Sequence, residues 1–219
     1  MYKYRLTFSK TGYAKYVSHL DLMRMFQRAF KRAELPISYS QGFNPHQKIS
    51  IGFPLPLGVT GTKEYMDIEL DEKLSFAELC GRLNEALPPD IRISEASEPQ
   101  QKTSCLQLAA YTVYVELKKE IPELKKKIEA VLNQSEILVD KKTKKGIAET
   151  DIKPSIANAE ASVNGKILDM LLVLSCADGA SLKATVVLDA LKKYIPDFEM
   201  ECVRINRDGL FLENMTEIC

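Results

Sequence analysis

The first 36 residues change hydrophobic period once, which restricts the chain to folds that open with a half-buried strand feeding an amphipathic helix. Tyr2, Tyr4, Leu6 and Phe8 alternate with Lys3, Arg5 and Thr7, the period of two that a strand with one buried face requires. After a turn at Lys10-Thr11-Gly12, Ser18 stands where an N-cap belongs, with Asp21 three residues on as a carboxylate form of the capping box. Leu22, Phe26, Ala29, Phe30 and Ala33 then recur at helical spacing, and Pro36 is expected to end the helix.

The stretch Ile37 to Val59 is rich in Pro and Gly, with a short strand expected over Lys48 to Phe53. A strand near Glu64 to Leu70, a helix over Ser75 to Leu87 stopped by Pro88, and a strand near Ile91 to Ala96 complete a β-α-β-β-α-β order. The polar link Ser97 to Ser104 has few groups to bury, so two domains are expected, 1–98 and 105–219. The order then recurs. Leu108 to Leu117 reads as a strand, Pro122 to Leu132 as a helix with Pro in its first turn, and Ile137 to Asp140 as a short strand before a turn at Lys141 to Gly146. Ile152 to Val163 and Ile167 to Cys176 read as a hairpin around Asn164-Gly165, followed by a helix over Ser181 to Tyr194 and a strand over Glu199 to Ile205. The expected fold class is α+β: two ferredoxin-like, split β-α-β halves, each an antiparallel sheet with helices on one face and the other face free.

Composition excludes several classes. With 45% hydrophobic and 27% charged residues in 219, this is the balance of a globular protein. No run approaches the ~20 apolar residues that cross a bilayer, and the N-terminus lacks the apolar core of a secretion signal, so a cytoplasmic address without membrane partners is expected. The five cysteines are scattered, odd in number and form no C-x-x-C pair. Reduced thiols packed as small hydrophobes are expected, with neither zinc nor an iron-sulfur cluster held by this chain alone. Nucleophile-elbow, Walker, dinucleotide-binding, zincin and kinase signatures are all missing from the sequence. Asp67, Glu69 and Asp71 would bind a cation only if they converged, and an exposed sheet edge explains them as well.

Zero net charge hides an asymmetry. Residues 1–53 hold nine Lys or Arg against two acids, whereas residues 54–100 hold four bases against ten acids. Such sorting points to a polyanion or an acidic protein face as partner, unless the two parts pair with each other within the fold. On the first helix Arg24, Arg28, Lys31 and Arg32 share the side opposite the apolar stripe, and three arginines favour bidentate recognition of phosphate or carboxylate. The alternative is a solvated face with Asp21 pairing Arg24. Ser18, His19 and Asp21 occupy the helix start, where free backbone N–H groups can receive an anion.

The second candidate is the loop Ser38 to Lys48, in which Ser40, Asn44, His46 and Lys48 crowd between bends at Gly42 and Asn44-Pro45. The chain's two histidines thus flank one helix. If the loop folds back over the helix start, His19 and His46 face one pocket with Arg24 and Lys48; otherwise His46 is a solvent-facing loop residue. Tyr13, Tyr16, Tyr39 and Phe43 suit base stacking, although aromatics in such loops also serve as core anchors. The Lys141 to Lys145 run is either a phosphate contact or a soluble turn.

Residues Tyr4 to Leu70 resemble the radical-SAM-linked domain of unknown function. The resemblance rests on Ser18-His19-Leu20-Asp21 with Arg24 and Arg28, Arg32-Ala33-Glu34-Leu35-Pro36, Ser40-Gln41-Gly42-Phe43-Asn44-Pro45-His46 and Pro54-Leu55-Pro56-Leu57-Gly58, and less on Asp151-Ile152-Lys153-Pro154. Gln47 departs from the pattern, standing where a second proline is expected. The resemblance implies association with a cobalamin-binding radical S-adenosylmethionine protein. That partner would carry the iron-sulfur cluster, S-adenosylmethionine and cobalamin, since this chain has no C-x-x-x-C-x-x-C motif and is expected to bind no cofactor. The expected role is a non-catalytic accessory subunit that holds RNA or a ribonucleoprotein through Ser18, His19, Asp21, Arg24, Arg28, Arg32, Ser40, Asn44, His46 and Lys48. Two alternatives stand beside it: a metal-independent ribonuclease with His19 or His46 as general base, and a plain protein-docking scaffold.

Overall fold

The computed structural model describes residues 1–143 and 146–218, the side chains of 141–147 excepted. Lys144, Lys145 and Cys219 therefore lie outside the described residues, and with them part of the Lys141 to Lys145 run. The chain is mixed α+β, with four α-helices and predominantly antiparallel strands among the described residues. It divides into two units, Met1–Leu106 with Arg207–Cys219, and Gln107–Asn206. The sequence boundary placed all of 105–219 in the second domain; the segment from Arg207 onward belongs instead to the first.

In the first unit β1 (Tyr2–Lys10), a 3₁₀ turn (Gly12–Tyr16), α1 (His19–Arg32), β2 (Ile49–Ile51), β3 (Thr60–Leu70), α2 (Phe76–Ala86) and β4 (Ile91–Ser97) follow in order. The strands lie in the order β4-β1-β3-β2, each antiparallel to its neighbour. Tyr4, Leu6 and Phe8 of β1, with Met66, Ile68 and Leu70 of β3, are buried in one core with Leu22, Phe26 and Phe30 of α1 and Leu79 and Leu83 of α2. Phe8 meets Phe26 edge to face at 5.2 Å.

Two expectations change here. Arg32 is the last residue of α1, which ends in a Schellman turn before Pro36 is reached: Leu35 N–H donates to the Phe30 carbonyl (3.1 Å) while Glu34 takes a left-handed φ of 50°. Arg82 secures this non-glycine residue by donating to the carbonyls of Ala33 and Glu34, each at 2.6 Å. The opposite face of the sheet is also not free. Arg5 is buried there because its guanidinium pairs with Asp67 at 2.8 Å and donates to the Gln101 carbonyl at 2.7 Å, in the polar link that leads to the 3₁₀ turn Thr103–Cys105. Gly52 lies against Thr103, where a Cβ would come within 2.6 Å of the threonine Cβ.

The second unit runs β5 (Leu108–Leu117), α3 (Leu124–Leu132), β6 (Leu138–Thr143), β7 (Gly146–Asp151), β8 (Ile156–Asn164), β9 (Ile167–Ser175), α4 (Ala184–Tyr194) and the start of β10 (Met200–Phe211). Its main sheet has the order β10-β5-β9-β8. The segment expected as a short second strand, β6, instead pairs with β7 in a separate two-stranded sheet. Sequence reading took Lys141 to Gly146 as a turn and missed β7, whose residues Gly146–Asp151 carry little apolar alternation. Pro122 precedes the N-cap Glu123 of α3 and so lies outside the helix's first turn. The outer face of this sheet does carry exposed residues, Thr112 and Leu171 among them, and Arg204 lies over the Tyr114 ring at 5.0 Å. Of the described cysteines Cys176 is buried, Cys80 and Cys202 are half-buried and Cys105 is exposed; all four are free thiols.

Candidate functional site

The helix start forms as its sequence requires. Ser18 Oγ accepts from Asp21 N–H (3.2 Å) and donates to the Asp21 carboxylate (2.7 Å), and Arg24 pairs with the same carboxylate at 3.0 Å. The Ser18 hydroxyl first and the Arg24 guanidinium second hold the Asp21 carboxyl below its ordinary value. Ser18, His19, Arg24, Arg28, Lys31 and Arg32 are all exposed. Asp21 is the one acid in ion-pair contact with this row among the described residues, and the pair is open to solvent, so it neutralises little of the row's charge. Arg32 makes a 2.7 Å bond to the Ala86 carbonyl at the end of α2.

The loop is held at the other end of α1. Ser38 N–H donates to the Glu69 carbonyl and Ile37 bridges Leu70, which is the partner of Tyr2 at the beginning of β1. Within the loop, Ser40 and His46 close on each other through Ser40 N–H to the His46 carbonyl (2.8 Å) and His46 N–H to Ser40 Oγ (3.0 Å). Gln41 to His46 stand exposed, with Phe43 fully in solvent. His19 begins α1 near the far end of β1, and α1 alone is about 20 Å long at its ordinary rise. The loop therefore does not fold over the helix start, and the two imidazoles do not share a pocket. Lys48 is likewise drawn away, pairing with Glu69 at 2.6 Å.

Each carboxylate considered for a cation is engaged separately: Asp67 by Arg5, Glu69 by Lys48, and Asp71 by the Ser38 hydroxyl at 2.6 Å. Among the described residues no group of three His, Cys, Asp or Glu is placed to hold a metal. A recess of about 340 Å³ in the first unit is lined by Lys3, Lys48, Ser50, Asp67, Glu69 and Pro99. A groove of about 890 Å³ in the second unit, between the β6-β7 hairpin and α4, mixes Lys183, Lys192 and Lys193 with Asp140, Asp151 and Asp189, so it presents no single charge.

Sequence reading missed a buried ionic cluster beneath the helix start. Arg207 of β10 forks onto the Glu64 carboxylate, and both residues are at most 1% exposed. Lys10, equally buried, donates to the Val17 carbonyl at 2.8 Å. Burial pushes the Glu64 carboxyl up while Arg207 and Lys10 oppose that, and burial pushes the Lys10 ammonium down. Gly61 makes room, since a Cβ there would stand 2.3 Å from the Glu64 carboxylate. The signal was present in the sequence: Lys10 continues the core phase of Leu6 and Phe8, and Glu64 that of Met66 and Ile68.

A family model described as "Uncharacterized protein conserved in bacteria (DUF2344)" matches residues 3–184. No curated protein matches the sequence. Among solved structures the chain is similar to one in a Cbf5-Nop10-Gar1 complex, with a TM-score of 0.51 and 12% identity over 94% of this chain and 48% of that one. An archaeal box H/ACA sRNP Nop10-Cbf5 complex scores 0.49 at 11% identity, over 93% of this chain and 46% of that one. An unknown protein from Galdieria sulphuraria scores 0.27 at 13% identity, over 94% and 97% of the two chains. The first likeness, at 12% identity, is one of fold alone. The chain spans about half the length of the first two chains. No helix among the described residues is long and apolar enough to cross a membrane.

Proposed function

The chain belongs to this family of uncharacterized proteins conserved in bacteria, and we propose that it is a binding subunit that takes RNA or a ribonucleoprotein on the cationic face of α1. The observation that carries the reading is the row Arg24, Arg28, Lys31 and Arg32, exposed along one side of a helix and met by a single solvent-exposed carboxylate. Successive arginines four residues apart are separated by about 6 Å of helix rise, a step suited to the phosphates of an extended strand. The resemblance to the radical-SAM-linked domain supports an accessory role beside a radical S-adenosylmethionine enzyme. The iron-sulfur cluster, S-adenosylmethionine and cobalamin would be that enzyme's. The strand orders β4-β1-β3-β2 and β10-β5-β9-β8 support reading both units as ferredoxin-like halves, the second with the β6-β7 hairpin inserted.

The test is salt-dependent binding of an RNA oligonucleotide to the full chain. Affinity should fall steeply with salt, and the R24A/R28A/R32A variant should bind weakly with a log-log salt slope shallower by about 2. An R24A/R28A variant keeps the Arg32 bond to Ala86 and should show most of the same loss. Absent or salt-insensitive binding would replace this reading with protein docking.

A further inference from the structure

Beside the helix start the 3₁₀ turn Gly12–Tyr16 presents two aromatic rings that the core does not use. Tyr13 is 86% exposed and Tyr16 62% exposed. Neither hydroxyl has a hydrogen-bond partner among the described residues. Their exposure is not the looseness of an unsecured loop, because the turn is fastened at four points. The Asp90 carboxylate accepts from Tyr13 N–H (2.8 Å) and Ala14 N–H (3.3 Å). Gly12, at a φ of 49°, lies so near that carboxylate that a Cβ would come within 2.5 Å of it. Lys10 Nζ donates to the Val17 carbonyl behind the turn, and Gly58 N–H donates to the Lys15 carbonyl at 2.8 Å. A backbone fastened in this way loses little conformational entropy when its two exposed rings meet a partner.

Charge around the rings identifies that partner. The Lys15 ammonium stands 5.1 Å over the Tyr16 ring, and the exposed Leu20, the second residue of α1, shares the side of the helix that carries Arg24 and Arg28. Aromatic faces followed by evenly spaced cations are the combination that binds single strands, with bases on the rings and phosphates on the cations. A duplex keeps its bases stacked on one another and could use only the cations.

We propose that Tyr13 and Tyr16 form a stacking platform for unpaired bases, which makes the ligand of the α1 face a single-stranded RNA segment. This rests on the RNA reading above and narrows it. The experiment compares a 12-nucleotide oligouridylate with an abasic oligomer of the same length and backbone charge, each binding to the full chain. With nine Tyr and no Trp, the chain's own tyrosine emission reports stacking directly. Oligouridylate should quench that emission and bind at least about tenfold more tightly than the abasic oligomer. Tyr13→Ala with Tyr16→Ala should abolish the preference and the quenching without weakening abasic binding or lowering the melting temperature, and Tyr16→Phe should retain the preference, with the remaining quenching coming from Tyr13. Equal binding of the two oligomers, or an unchanged preference in the double variant, would overturn the platform and leave the cationic reading standing. Failure of both oligomers to bind would overturn both.

Discussion

Charged side chains in the first unit do two different jobs, set by where alternation puts them. Lys10, Glu64 and Arg207 are enclosed, so desolvation weighs heavily on them, and the two cations and the Glu64 carboxylate offset one another's burial. Arg24 and Asp21 sit in water, where their pairing is worth little and the arginine stays available. Tyr65 shows the enclosed case most simply. Burial, with smaller contributions from Glu217 and other carboxylates, pushes its phenol up to about 12 from an ordinary 10.0. A phenol whose folded value is raised lends its full stabilisation below pH 10 and loses it as pH rises through about 12. Denaturant melts across that alkaline window should therefore show stability falling with pH in the native chain and a flatter profile in Tyr65→Phe.

Among the elements, α1 was readable almost to the residue because its cap, apolar stripe and cationic side are all local. Its C-terminus was not, since a left-handed Glu34 has no sequence signature of its own and depends on Arg82 from another helix. The β8-β9 hairpin was readable for the same local reason as the helix start, although the loop lies one residue later than expected: Asn164 pairs with Ile167, and Gly165-Lys166 make the turn, with Gly165 at a φ of 57°. Nothing surrounds that glycine, so Gly165→Ala should cost only the backbone preference, about 1 kcal/mol, measured as a lower unfolding free energy of the chain. The opposite case is β7. Its short polar sequence carries no period-two pattern, and its strand conformation depends on pairing with β6.

At the level of the whole chain, sequence order and structural unit part company at β10. The residues from Arg207 onward complete the first unit by bringing a guanidinium to Glu64, although more than a hundred positions separate the two in sequence. Arg207→Ala should therefore leave the Glu64 carboxylate buried without its guanidinium and destabilise the first unit by about 3–5 kcal/mol, read as a lower melting transition. Full retention of that transition would show that Arg207 is replaceable there.

The sequence by itself determined the order of strands and helices apart from β7, the capped and cationic α1, the place of the β8-β9 hairpin and the charge asymmetry. All of these arise from interactions within a few residues, where period and turn chemistry act directly. Only the tertiary structure decided that His19 and His46 occupy opposite ends of α1, that the polar link covers the outer side of the first sheet at Arg5, and that Tyr13 and Tyr16 face water while Arg207 does not. Those outcomes depend on which distant segments pack together, because burial and ion pairing are settled by neighbours in space, and a single sequence records neighbours only along the chain.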